Sequence, residues 1–226
     1  MPEVGFDGQE KISQAKVMVI GAGGLGCPVL QYLAGMGVGK LGIADADTVH
    51  MSNLHRQTLY SEADIGTLKV NVASKRLKSL NSQVNIHVIA ERITTNNITE
   101  HCSGYDVIVD CTDNYESRKT LANFCASTNT LLVFGAVQQF EGMVSVFGSG
   151  FTFSDLFPEE PIDASLSCAQ EGILGHVAGH VACLMINEVV KIILGLEGVL
   201  SGKVLTTDLK SGQQRIYRLN KPTRVI

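Results

Sequence analysis

The most constraining feature of this chain is a run of glycines between two apolar stretches, VMVIGAGGLGCPVLQYLAGMGVGKLGIADAD, which ends at Asp47. Residues 16–20 read as a short buried strand, 25–37 as a helix and 41–44 as a second strand ending at Asp45. Gly21, Gly23 and Gly26 satisfy G-x-G-x-x-G inside that strand–helix–strand unit. The first glycine allows a tight turn, the second lets backbone N–H groups approach a phosphate, and the third lets helix and strand pack closely. The helix N-terminus then offers oriented donors to an anion. Asp45 stands where a carboxylate can accept from ribose hydroxyls. The turn is not a Walker A loop, because Cys27-Pro28 occupies the place of the required Lys-Ser/Thr pair. By itself it does not separate a dinucleotide from ATP.

Downstream the same alternation continues. A helix is predicted over 69–80 with Val70, Ala73, Leu77 and Leu80 on one face, then a strand over 84–90 and a short helix over 96–102. A buried strand at 106–110, a helix at 115–128 and a strand at 131–135 follow. This is the pattern of an α/β, Rossmann-like, mainly parallel sheet with helices on both faces. After Gly135 the chain changes character: a strand at 143–147, a long loop at 149–172, an apolar helix at 173–194, and a C-terminal antiparallel pair at 203–208 and 213–219. No linker divides the chain, so one domain over 1–226 is expected, its nucleotide-binding part at 1–135 and the remainder at 136–226.

Composition narrows the partners. A net charge of -4 without any Lys/Arg run speaks against nucleic acid. The first residues, MPEVGFDGQEK, carry no basic-then-apolar leader pattern, which predicts a cytoplasmic protein. The uncharged run 172–187 contains His176, His180 and Asn187 and reads as a buried helix rather than a membrane span. His176 and His180 share a helix face at metal-compatible spacing, but without a third ligand they read as packing or a polar seam. Six cysteines without a C-x-x-C pair read as thiols and give no zinc site.

Three further segments bear on the choice of nucleotide. Ser52–Gln57 (SNLHRQ) brings Arg56 and Gln57 toward the crevice, and Lys69 opens the next helix. Two cations there suit the β and γ groups of a triphosphate better than a dinucleotide, the alternative being ordinary surface charges. DVIVDCTDNYESR places Asp110, Asp113 and Asn114 at the carboxyl end of a strand, the edge where open α/β sheets bind ligands. Asp113 fits a Mg²⁺ ligand between protein and phosphates, or else the N-cap of the 115–128 helix.

In this order, GAGGLG, the D-x-D at Asp45 and Asp47, SNLHRQ, the lysine after a Gly-x-x step and DCTDN resemble the ThiF/MoeB/HesA family, bacterial relatives of the ubiquitin-activating enzymes. The resemblance implies ATP-dependent adenylation of the C-terminal glycine carboxylate of a small ubiquitin-like sulfur-carrier protein ending in Gly-Gly. Pyrophosphate leaves, and thiocarboxylate formation follows with a sulfur donor such as a cysteine desulfurase or rhodanese, in a thiamin or molybdopterin pathway. It also implies a homodimer. Carried over residue by residue, Gly21, Gly23, Gly24, Asp45, Asp47 and the stretch Ser52, Asn53, Leu54, His55, Arg56 and Gln57 bind ATP. Lys69 meets the phosphates, Asp113 holds Mg²⁺, and Asn114 lines the site. A carboxylate nucleophile is already ionised at neutral pH, so no general base is required. Arg56, Lys69 and Asp113 with its metal then act by positioning and charge neutralisation.

The sequence departs from the family in two places. Many members carry two C-x-x-C pairs for a structural zinc, the first ahead of an LFPEEP-like segment. Here FTFSDLFPEEP has Thr152 and Asp155 at those cysteine positions, and the chain ends KPTRVI, so no structural zinc is expected. The family's N-terminal arginine, which reaches the partner subunit's ATP, has no counterpart ahead of PEVGFDGQE, which implies weakened adenylation unless an arginine comes from elsewhere. Cys168, in SCAQEG, matches a position where some members bear a thiol that links to the carrier, the alternative being an ordinary loop cysteine. The competing readings are an NAD-dependent oxidoreductase, a non-catalytic carrier-binding homologue, and a branch that activates a carboxylate on tRNA.

Overall fold

The computed structural model describes residues 4–148, 150–158 and 172–219. Its core is an eight-stranded sheet in the order β3-β2-β1-β4-β5-β6-β7-β8. β1 (Lys16–Ile20), β2 (Lys40–Ala44), β3 (Asn85–Ile89), β4 (Val107–Asp110) and β5 (Leu131–Gln138) run parallel. β6 (Glu141–Phe147), β7 (Lys203–Asp208) and β8 (Gln213–Arg218) extend the sheet antiparallel. The expected Rossmann-like fold is therefore present. The strand order reverses between β1 and β4, the switch point at which such sheets open a crevice beyond their carboxyl ends.

The two faces follow from strand alternation. Val17 and Val19 of β1 point into one core, Met18 and Ile20 into the other. The first core is covered by α2 (Gly26–Met36), α3 (Lys69–Leu80) and α7 (Gly175–Leu194). In α2 the buried positions Cys27, Leu30 and Ala34 recur at three- and four-residue steps, and Gly37 ends the helix in the left-handed conformation. The second core gathers α4 (Ile98–Cys102), α5 (Tyr115–Thr128) and α6 (Phe153–Leu156) around Phe134, Phe147 and Phe153.

Several boundaries differ from those the sequence predicts. A helix α1 (Gly5–Gln14) precedes β1 and has no counterpart in the sequence reading. It buries only Gly8 and Ile12, too few apolar positions to leave a periodic signal. Leu80 is not on the buried face of α3 but 58 % exposed, because the chain turns extended at Asn81 immediately after it. β5 continues to Gln138, since antiparallel pairing with β6 prolongs it beyond the parallel register with β4. Ile173 lies outside α7, in an isolated bridge to Gln139, and the described part of the 149–172 loop contains α6.

The 20 residues of α7 are long and apolar enough to cross a membrane by length and composition alone. In the fold, Val177, Ala178, Val181, Ala182, Met185 and Val189 are buried, and the helix lies against β5, β6 and α2. Near its C-terminal end the buried Glu188 accepts the Leu200 N–H at 2.9 Å and pairs with Lys191 Nζ at 2.5 Å. His176 is exposed, while His180 Nε2 lies 3.4 Å from Thr207 Oγ1 and 3.1 Å from Gln214 Nε2, a polar seam between helix and sheet.

Candidate functional site

The glycine turn has the geometry its spacing predicts. Gly21 has φ +97°, and a Cβ there would press on the Cys111 carbonyl, so only glycine fits. A Cβ on Gly26 would collide with the Gly21 carbonyl, which is the close helix–strand approach assigned to the third glycine. The turn is held from the side by Asp45, whose Oδ2 accepts the Ala22 N–H at 2.7 Å while Oδ1 accepts the Asp47 N–H at 2.8 Å. Burial pushes the Asp45 carboxyl above the usual carboxylate range, opposed by the Lys69 charge and by those two backbone bonds. Tyr60 OH donates to the Ala22 carbonyl at 2.8 Å from behind. Burial also drives the Cys27 thiol up to about 12 and raises that of Cys111 well above the ordinary thiol range, so both are packing residues rather than nucleophiles.

Between the carboxyl ends of β1, β2 and β4 the turn borders a cavity of about 370 Å³. Gly21, Gly23, Gly24, Asp45, Asp47, Asn53, Arg56, Gln57, Lys69, Asp113 and Asn114 all reach it. The rest of the SNLHRQ segment stands behind. Ser52 gives its carbonyl to Arg56 Nη1 at 3.2 Å, His55 Nε2 lies 2.7 Å from the same nitrogen, and Leu54 packs on the core. Those three residues therefore support the cavity wall rather than form it. Cys168 lies outside the described residues, as do positions 159–161 of the PEEP segment and 221–226 of the C-terminus.

Lys69 is 4 % exposed, and its ammonium pairs with Asp47 Oδ2 at 2.9 Å. Asn114, not Asp113, caps α5, accepting the Ser117 N–H at 2.9 Å. Asp113 is left exposed on the rim. Among the described residues no group of three His, Cys, Asp or Glu side chains stands together to hold a metal unaided. Magnesium commonly uses one or two carboxylates plus substrate phosphates, and a single rim carboxylate facing a nucleotide cavity fits that mode.

Sequence reasoning missed Arg118. It projects from α5, donates to the Thr112 carbonyl at 2.9 Å and lies 5.2 Å over the Phe134 ring, a cation–π contact. Thr112 in turn donates its N–H and hydroxyl to Asp110 Oδ1, at 2.9 and 2.7 Å. Asp110 is fully buried, and burial raises its carboxyl against the pull of Arg118. Among the described residues Asp110 Oδ2, Arg118 Nε and Gln57 Oε1 are buried without a hydrogen-bond partner, a concentration of unsatisfied groups that marks this end of the sheet as built for something polar. Spacing offered a signal, since Arg118 lies one helical turn beyond Asn114.

A second cleft, of about 800 Å³, adjoins the first and shares Asp113, Arg118, Val137 and Ile173 with it. Its walls mix aromatic side chains (Tyr115, Phe153, Phe157 and Tyr217) with Arg118 and Arg215. Beside it stand Thr152 and Asp155, flanking the lining residue Phe153. Thr152 donates its N–H and hydroxyl to Asp155 Oδ2, both at 2.8 Å, in a capping box that starts α6.

The ThiF family model matches residues 1–224. The chain belongs to the ThiF family. The sulfur carrier protein adenylyltransferase of Thermus thermophilus is 41 % identical over 216 residues, covering 92 % of this chain and 80 % of that protein. The adenylyltransferase and sulfurtransferase MOCS3 of Anopheles gambiae is 41 % identical over 221 residues, 96 % of this chain and 49 % of that protein. This ThiF-family chain thus spans about half the length of several curated relatives it matches. Among solved structures, Escherichia coli MccB with AMPCPP and MccA superposes with a TM-score of 0.84 at 22 % identity, over 96 % of this chain and 67 % of that one, a likeness of fold.

Proposed function

We propose that this chain is an ATP-dependent adenylyltransferase that activates the C-terminal carboxylate of a small ubiquitin-like sulfur-carrier protein ending in Gly-Gly. The observation that carries the reading is the wall common to both cavities. Asp113 and Arg118 line both cavities, which supports a carboxylate entering along the aromatic cleft to meet a phosphate on the glycine turn. The carboxylate oxygen attacks the α-phosphorus of ATP, the bond from that phosphorus to the oxygen bridging to the β-phosphate breaks, and pyrophosphate leaves. The product is a mixed acyl–phosphate anhydride. No proton moves in this step, consistent with a site rich in cations and without a poised base.

In this reading the glycine turn and helix α2 cradle the phosphates, Asp45 accepts from the ribose, and Lys69, Arg56 and Arg118 neutralise developing charge. Asp113 would hold Mg²⁺, which supplies further neutralisation on the phosphates when bound. The names of the relatives from Thermus thermophilus and Anopheles gambiae support adenylation and a later sulfur transfer. A sulfur donor such as a cysteine desulfurase or rhodanese belongs to the proposal. A homodimer belongs to the same proposal.

The test is ATP–pyrophosphate exchange with Mg²⁺ against a panel of carriers ending in Gly-Gly. Exchange that depends on the carrier supports the reading. Absence of exchange with every carrier, or hydride transfer with NAD, overturns it.

A further inference from the structure

We infer that Asp47 is a positioning residue for Lys69: it holds the ammonium aimed across the nucleotide cavity instead of touching the nucleotide itself. The inference rests on the adenylation reading and adds to it a residue that acts through another.

The geometry is a double grip. Asp47 takes the Lys69 backbone N–H on its carbonyl oxygen at 2.9 Å and the Lys69 ammonium on its Oδ2 at 2.9 Å. Around it the chain is clipped antiparallel, with an isolated bridge from Thr48 to Leu68, Val49 N–H on the Thr67 carbonyl and Gly66 N–H on the Val49 carbonyl, both at 2.9 Å. The hydrogen bonds run on to the phosphate turn: the Asp47 N–H donates to Asp45 Oδ1, and Asp45 Oδ2 receives the Ala22 N–H. One continuous path therefore joins the glycine turn, both carboxylates of the D-x-D and the lysine.

The physical need is plain. The Lys69 side chain is 6 % accessible, and a buried ammonium requires a counter-charge. Its four-carbon stem is flexible and is a poor guide to a phosphate unless something orients its end. Asp45 contributes charge nearby, but both of its oxygens already serve backbone N–H groups. Asp47, with a side chain 62 % accessible, can hold the lysine without being buried itself.

Catalysis through positioning separates turnover from ground-state binding. Asp47→Asn removes the charge that orients Lys69 but also one negative charge beside the triphosphate. Exchange turnover should fall roughly tenfold while KM for ATP stays level or drops. Asp47→Glu should recover much of the turnover, and Asp47→Asn should add little to the loss caused by Lys69→Met. Independently of any turnover, labelling of Lys69 by trinitrobenzenesulfonate in the nucleotide-free full chain, followed by peptide mass spectrometry, should be faster in Asp47→Asn at equal pH. A raised KM with unchanged turnover would make Asp47 a direct nucleotide contact and overturn the inference. So would unchanged labelling, or a loss of folding stability in Asp47→Asn that Asp47→Glu does not restore. If the wild-type chain supports no exchange with any carrier, the adenylation reading falls while the labelling comparison still decides the grip.

Discussion

Asn114 Oδ1 accepts the Ser117 N–H at 2.9 Å and so caps α5, which leaves the neighbouring Asp113 carboxylate on the rim shared by the two cavities. Adjacent acidic and amide side chains have divided the labour between fold and chemistry. Asp113→Ala should abolish ATP–pyrophosphate exchange with an unfolding midpoint close to wild type. Asn114→Ala should cost about 1 kcal/mol of stability, lowering the midpoint by roughly 2–4 °C. Calorimetry beside the exchange assay reads both, and a large stability loss in Asp113→Ala would refute the division.

Arg118 is fixed by shape as much as by charge, through the Thr112 carbonyl and the Phe134 ring. Arg118→Lys keeps the charge and loses the planar stack and the fork of donors. The carrier concentration for half-maximal exchange should rise roughly tenfold, with ATP affinity changed much less. Equal effects on both substrates would place Arg118 in the nucleotide site alone.

Acidity should act through Asp45. Its folded-state pKa is raised by burial, so ionising it costs stability, and that cost appears as pH rises through the raised value. Asp45→Asn removes that cost but keeps one acceptor for the Ala22 and Asp47 N–H groups, so it is expected to be less stable than wild type, by less at neutral pH than in acid. Nucleotide binding has the opposite dependence, because the ionised form is the better acceptor. Affinity should be full above the raised pKa and fall on acidification sooner than an ordinary carboxylate near ~4 would dictate. Titration calorimetry across weakly acidic pH should show the fall in wild type and a flat, weak profile in Asp45→Asn; parallel profiles would remove Asp45 from the ribose site.

Glu188 is a purely structural carboxylate, buried between the Leu200 N–H and Lys191. Glu188→Ala strands a lysine and a backbone donor and should cost roughly 3 kcal/mol, on the order of 10 °C in unfolding midpoint. Glu188→Gln, which keeps the acceptor, should cost less. Thermal melts of the two variants check the order.

Most of the fold was legible because two periodicities were strong. The apolar runs of β1, β2 and β4 are buried whole, α2 ends at a left-handed Gly37, and α5 is capped by Asn114 rather than by the Asp113 the sequence offers. Helix α1 leaves no periodic signal because it packs against α7 with only Gly8 and Ile12 buried. The glycine turn, Asp45, Arg56, Lys69 and Asp113 were readable from order and spacing, and they do converge. Spacing could not show which residues of SNLHRQ turn away, since two short turns of irregular backbone decide it. Spacing put Arg118 one helical turn beyond Asn114 but not over the Phe134 ring, which arrives from a strand distant in sequence.

Thr152 and Asp155 close their turn with two hydrogen bonds. A turn made of a hydroxyl and a carboxylate draws nothing from the cell's zinc supply and has no sulfur to oxidise. Phe153 and Phe157, in and beside that turn, line the aromatic cleft, whose edge is expected to keep its shape without a metal or a disulfide. Unfolding midpoints in chelator and in mild oxidant should match those in plain buffer, and elemental analysis should find no stoichiometric zinc. A cleft edge built this way is expected to keep its shape under conditions that dismantle a thiolate-clamped one.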